Sequence, residues 1–138
     1  MGPYSVIYKK SAISWYRFGT GPKPVLCFHG YGEGASSFSF LEKYAGNQFT
    51  FYCIDLPFHG KTEWRDELTF TQTDLSKIIE KILYQNDWRP VTGNKQFIVC
   101  GFSLGGRVAL SFLQANPKKI EKLILLAPDG LKVNFWYW

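Results

Sequence analysis

An α/β fold on a mostly parallel sheet is what the 138-residue sequence predicts, and three observations carry it. Four short apolar runs, VLCF, FTFYCI, QFIVCGF and KLILLA, show no polar alternation, which marks strands buried on both faces. Segments with helical spacing separate them, and strands alternating with helices imply parallel pairing with helices on both faces of the sheet. Each run also stops at glycine or proline punctuation, in HGYGEG, DLP, GFSLGG and APDG.

The elements follow in order. Tyr4, Val6 and Tyr8, then Ile13 and Trp15, alternate around Lys9-Lys10-Ser11, and this predicts an N-terminal hairpin over Tyr4 to Phe18. After GTGPKP, VLCF reads as a buried strand feeding the glycine-rich HGYGEG. Phe38 to Ala45, closed by Gly46, reads as a short helix, and FTFYCIDLP as a strand stopped by Pro57. Leu75, Ile78, Ile79, Ile82 and Leu83 recur at helical spacing between Thr71 and Asn86, with Thr71 and Asp74 placed as a capping box. QFIVCGF is the next strand, LGGRVALSFLQAN a helix stopped by Asn116-Pro117, and KIEKLILLAP a strand ending at Pro128. The length fits one domain, residues 1–138.

Composition excludes several classes. Hydrophobic residues make up 46% and charged residues 20%, the profile of a folded globule. The formal charge of +5 raises nucleic acid as a partner, but the only adjacent basic pairs are Lys9-Lys10 and Lys118-Lys119, and the other cations lie scattered among acids. No nucleic-acid partner is expected. Cys27, Cys53 and Cys100 sit in apolar runs with no metal or CxxC spacing, so they read as small core residues and no metal is implied. An odd number of cysteines and no secretory leader point to the cytoplasm. No apolar run approaches the roughly 18 residues of a membrane span.

One motif carries chemistry. Gly101-Phe102-Ser103-Leu104-Gly105 fits G-x-S-x-G between a strand and a helix, where the glycines allow a close approach and force the serine into an exposed, strained turn. The first N–H of the following helix, that of Leu104, would face an oxyanion. The plain alternative is a serine that starts a helix, with glycines for packing.

Three segments, HGYGE at 29–33, DLPFHGKT at 55–62 and GFSLGG at 101–106, together resemble the α/β-hydrolase fold family in the order that family uses. The departures are Phe58 where the family usually has Gly and Thr62 where it usually has Ser. The resemblance implies an α/β-hydrolase-like sheet, Ser103 as nucleophile, and the backbone N–H groups of Tyr31 and Leu104 as oxyanion donors. It implies that His29 and Gly30 support the oxyanion loop and that His59 supports the turn after Asp55. The implied activity is hydrolysis or transfer of an acyl group from a small, fairly apolar ester, thioester or amide, with no cofactor.

The base is the difficulty. In this family the acid and the histidine follow the serine, and nothing after Ser103 is histidine. Asp129, in the turn signature Pro-Asp-Gly, is a candidate acid at the end of the strand after the nucleophile strand. The simplest expectation is a domain truncated at its C-terminus, lacking the last strands, the cap and the loops with acid and base. Residues 131–138, LKVNFWYW, would then enter the cap. The 138 residues alone would be inactive, with an open sheet edge prone to self-association.

Two other readings remain. The chain could be a non-catalytic interaction module that kept the scaffold. Gly30-Tyr31-Gly32-Glu33-Gly34-Ala35 also satisfies G-x-G-x-x-A after a strand, with Asp55 placed as a ribose acid, which would suit a dinucleotide-binding oxidoreductase.

Overall fold

The structure is a computed structural model that describes residues 1–86 and 96–129. Six strands form one sheet in the order β1-β2-β4-β3-β5-β6. Strands β1 (Tyr4–Tyr8) and β2 (Ser11–Phe18) make the N-terminal hairpin, with Tyr4 opposite Trp15 and Tyr8 opposite Ser11. Strand β2 runs antiparallel to β4 (Phe49–Ile54). From there the sheet is parallel, through β3 (Lys23–Phe28), β5 (Phe97–Phe102) and β6 (Ile120–Leu126). The mostly parallel sheet and the hairpin are therefore both present as the sequence implies.

The helices cover both faces. Helices α2 (Gln72–Gln85) and α3 (Leu104–Ala115) bury Leu75, Ile78, Ile79, Ile82, Ala109 and Phe112 against Leu26, Phe28, Tyr52, Ile54, Phe97 and Val99. The opposite face carries Val25, Phe51, Ile98 and all three cysteines under Ala35, Phe38 and α1 (Leu41–Ala45). The cysteines lie side by side in register across β4, β3 and β5, with Cys27 opposite both Cys53 and Cys100. All three are free and buried.

One expected element differs. The helix read over Phe38 to Ala45 is a 3₁₀ turn, Ala35–Phe38, followed by the five-residue α1. Ala35 and Phe38 are its buried residues, while α1 buries none. So short a helix is held by its neighbours rather than by its own cooperativity. The reading of residues 131–138 as the entry to a cap lies outside the described residues.

Helix α2 starts at the predicted capping box: Thr71 accepts from the Asp74 N–H, and the Asp74 carboxylate accepts from the Thr71 N–H at 2.9 Å. Asp74 also accepts from the Tyr8 hydroxyl at 2.6 Å and from Lys9 at 3.1 Å, tying the β1–β2 turn to the helix. Burial pushes the Asp74 carboxyl up, but the hydrogen bonds from Tyr8, Thr71 and Lys9 outweigh it and hold the group well below the usual carboxylate range. The stability this contributes is complete above about pH 4, the unfolded value, and is lost as the pH falls toward the folded one. Asp74→Ala strips the cap and orphans the buried Tyr8 hydroxyl, so urea unfolding at pH 7 should show a loss of about 2–4 kcal/mol. The same measurement below pH 4 should show a shallower dependence on pH in the variant.

Candidate active site

Ser103 stands between β5 and α3 with φ 51 and ψ −116, a left-handed conformation that an L-residue occupies only when its surroundings impose it. Here the imposing contacts are glycine contacts. A Cβ on Gly105 would lie 1.9 Å from the Phe28 carbonyl oxygen, one on Gly101 would lie 2.3 Å from the Gly105 oxygen, and one on Gly106 would lie 2.6 Å from the Pro128 Cβ. Helix α3 can therefore begin directly against the ends of β3 and β5. The backbone of Ser103 is fully used: its N–H donates to the Leu126 oxygen at 3.0 Å, and its carbonyl accepts from Gly106 at 2.9 Å and Asp129 at 2.8 Å.

The side chain is not used this way. A serine that merely starts a helix has extended dihedrals and caps it through its hydroxyl. Ser103 has neither the extended conformation nor a side-chain capping bond. Leu104 is the first residue of α3, so its N–H has no carbonyl one turn back in the helix.

The HGYGE loop passes beside this serine: a Cβ on Gly30 would lie 3.3 Å from the Ser103 Cβ. His29 is fully buried and holds the loop by both ring nitrogens. Its Nε2 accepts from the Leu56 N–H at 3.0 Å, so the proton sits on Nδ1, which donates to the Gly30 carbonyl at 2.8 Å. The same carbonyl accepts from the Glu33 N–H at 3.2 Å, and the Glu33 carboxylate accepts from the Gly30 N–H at 3.3 Å. In a trans peptide the C=O and the next N–H point in opposite directions, so clamping the Gly30 carbonyl also aims the Tyr31 N–H. The only signal of this Glu33 role in the sequence is its spacing of three from Gly30, as in a tight turn.

His59 is half-buried, its Nδ1 lies 2.9 Å from the Pro57 carbonyl, and its ring sits 5.2 Å from that of His29. Among the described residues no hydrogen bond joins either histidine to Ser103. Asp129 is brought to the elbow by its backbone bond, but its carboxylate pairs with Arg107 at 3.2 Å near the surface. Sequence spacing does not reveal that pair.

The dinucleotide reading fails on geometry. Ala35 opens a four-residue 3₁₀ turn instead of the long helix that motif needs. Asp55 is 2% exposed and its two carboxylate oxygens accept from the backbone N–H groups of Ala35 at 2.7 Å and Lys61 at 3.0 Å, which leaves it closed to a ribose. The second of those bonds lies in a turn where a Cβ on Gly60 would meet the Asp55 Cγ at 2.2 Å.

A six-stranded, mostly parallel sheet with a strained serine between strand and helix is the arrangement of an α/β hydrolase. Residues 23–136 match the model of the alpha/beta hydrolase fold, and the chain belongs to that family. It is 30% identical over 113 residues to a serine hydrolase-like protein of Danio rerio, covering 78% of this chain and 32% of that protein. It is 26% identical over 127 residues to the pimeloyl-[acyl-carrier protein] methyl ester esterase of Nitrosospira multiformis, covering 87% of this chain and 44% of the esterase. The chain thus spans less than half the length of these relatives. The thioesterase domain from the curacin biosynthetic pathway superposes with a TM-score of 0.71 at 20% identity, over 91% of this chain and 45% of that one. The N-acyl homoserine lactonase AidH gives 0.71 at 19% identity, over 93% and 45%. At these identities the structural likeness speaks for the fold alone.

Burial lowers the pKa of His29, opposed by its bond to Gly30 and aided by His59. The unfolded chain therefore takes up this proton first as the pH falls, and stability declines from about pH 6.5 downward, by at most about 1.4 kcal/mol per pH unit. His29→Ala should cost about 2–4 kcal/mol at pH 7, because it orphans the buried Leu56 N–H and leaves the Gly30 carbonyl with the Glu33 N–H alone. Urea titrations between pH 5 and 8 should show that the variant lacks this part of the slope.

Proposed function

We propose that the chain is the nucleophile-bearing part of a serine hydrolase that cleaves, or transfers the acyl group of, a small apolar ester, thioester or amide. The observation that carries this is Ser103 itself, strained and left free of a capping bond beside the clamped Gly30-Tyr31 peptide. The esterase names of relatives in the same family support it.

In the reaction the Ser103 oxygen attacks the acyl carbon while its proton passes to a base. The carbonyl oxygen becomes an oxyanion between the N–H groups of Tyr31 and Leu104, where each donor is worth about 3–4 kcal/mol. Collapse expels the alcohol, thiol or amine, which takes the proton from the base, and leaves an acyl-enzyme that water or an acceptor then resolves. His29 cannot be that base, since both its nitrogens are engaged. The base is supplied by residues outside these 138, and the acid either comes with it or is Asp129 once released from Arg107. No metal or organic cofactor enters this scheme, and three free buried thiols suit a reducing, cytoplasmic setting. Among the described residues no helix is long and apolar enough to cross a membrane.

Two outcomes check the reading. In the full-length protein a fluorophosphonate probe should label Ser103, and Ser103→Ala should abolish the label; an unlabelled serine would instead leave the interaction module. The 138 residues alone should hydrolyse p-nitrophenyl acetate about six orders of magnitude more slowly than the full-length protein, the cost of removing the base from such a triad.

Among the described residues strand β6 ends the sheet and exposes Ile124 and Leu126 at 44% and 49%. Bare apolar edges pair with other chains, so the 138-residue chain should sediment as dimers or larger species. The double variant Ile124→Lys, Leu126→Lys should shift it toward monomer.

A further inference from the structure

We propose that the rings of Tyr31 and Phe58 form an aromatic shelf beside Ser103 that takes the apolar chain of the substrate, so that the preferred acyl or alkyl group is several carbons long. The inference rests on the serine hydrolase reading and adds a substrate class to it.

Phe58 is the odd residue. The His59 N–H donates to the Leu56 carbonyl at 3.0 Å, closing a turn with Pro57 and Phe58 at its centre. Phe58 has φ 66, and a turn with proline first and a left-handed residue second calls for glycine there. A phenylalanine is strained in this place and contributes little to the core, because it is 65% exposed. Positions that break a local rule without a packing gain are the ones where function accounts for the residue.

Tyr31 is a second exposed ring, at 83%. It packs edge-on against His59, with centroids 5.6 Å apart and planes at 82°, and His59 directly follows Phe58. Tyr31 directly follows Gly30, which lies against Ser103. Ser103, Gly30, Tyr31, His59 and Phe58 are thus linked in turn by a close contact, a peptide bond, a ring contact and a peptide bond. The acid in this stretch, Glu33, is turned back onto the Gly30 N–H, so the rings offer apolar faces rather than a charged site. An apolar chain leaving an acyl group at Ser103 would cover both rings, and covering exposed aromatic surface is the gain that the strained turn otherwise lacks.

The test uses the full-length protein. Phe58→Gly gives the turn its preferred residue, so its melting temperature should stay level or rise. The ratio of kcat/KM for p-nitrophenyl decanoate over p-nitrophenyl acetate should fall about tenfold in Phe58→Gly and stay within about threefold in Phe58→Leu, which keeps apolar surface. Decanoate binding to the Ser103→Ala protein, read by calorimetry, should weaken by a similar factor when Phe58→Gly is added. An unchanged ratio and unchanged decanoate binding, with Ser103 still labelled by the probe, would overturn the shelf and leave the nucleophile standing. Weakened decanoate binding with Ser103 unlabelled would support the shelf while removing the hydrolase reading. A fall of several degrees in the melting temperature of Phe58→Gly would overturn the shelf, because the ring would then be packing against its own chain.

Discussion

The site depends on one steric constraint, the contact of the first turn of α3 with the carboxyl ends of β3 and β5. Gly105 lies where any side chain would strike the Phe28 carbonyl, and Gly101 lies where any side chain would strike Gly105. That contact lifts Ser103 into its left-handed turn. It also decides the neighbours of the serine, since the end of β3 delivers His29 and Gly30 to the same place and Gly106 admits Pro128 from the end of β6. A single close approach thus both strains the serine and gathers the loops after β3 and β6 around it.

The same crowding settles what His29 can do. Buried between the β3 and β4 loops, it donates through one nitrogen and accepts through the other. A ring in that state orients a peptide well and takes up a proton poorly, because protonation would break the bond from Leu56 and place a charge in the core. The region therefore contains a strained serine without a capping bond and a histidine already committed to holding the backbone beside it.

Much of this was legible in the residues. The unalternating runs around Cys27, Cys53 and Cys100 report strands covered on both sides, and the Thr71 to Asp74 spacing marks the start of α2. G-x-S-x-G carries its own geometry, since glycines on both sides of Ser103 have a steric reason that a plain helix start does not require. Less was legible where partners are distant in the chain. The Tyr8 to Asp74 and Arg107 to Asp129 pairs come from tertiary placement, which no local pattern encodes. At the break between the 3₁₀ turn and α1, Ala35 and Phe38 are buried, while Leu41 and Ala45 of the LEKYA segment pack against the same cluster only partly buried. Asp55 shows the limit of motif reading: position alone allows a ribose ligand or a structural acid, and only the bonds to Ala35 and Lys61 decide.

Those two bonds have a further consequence. One carboxylate grips the loop after β3 through Ala35 and the loop after β4 through Lys61, and Gly34 and Gly60 are both drawn in close to it. The two loops are mechanically one part. Transplanting either into another scaffold without the other would leave an acid with half its donors and a loop with no anchor, so the natural unit for exchange between relatives is the pair together with its aspartate.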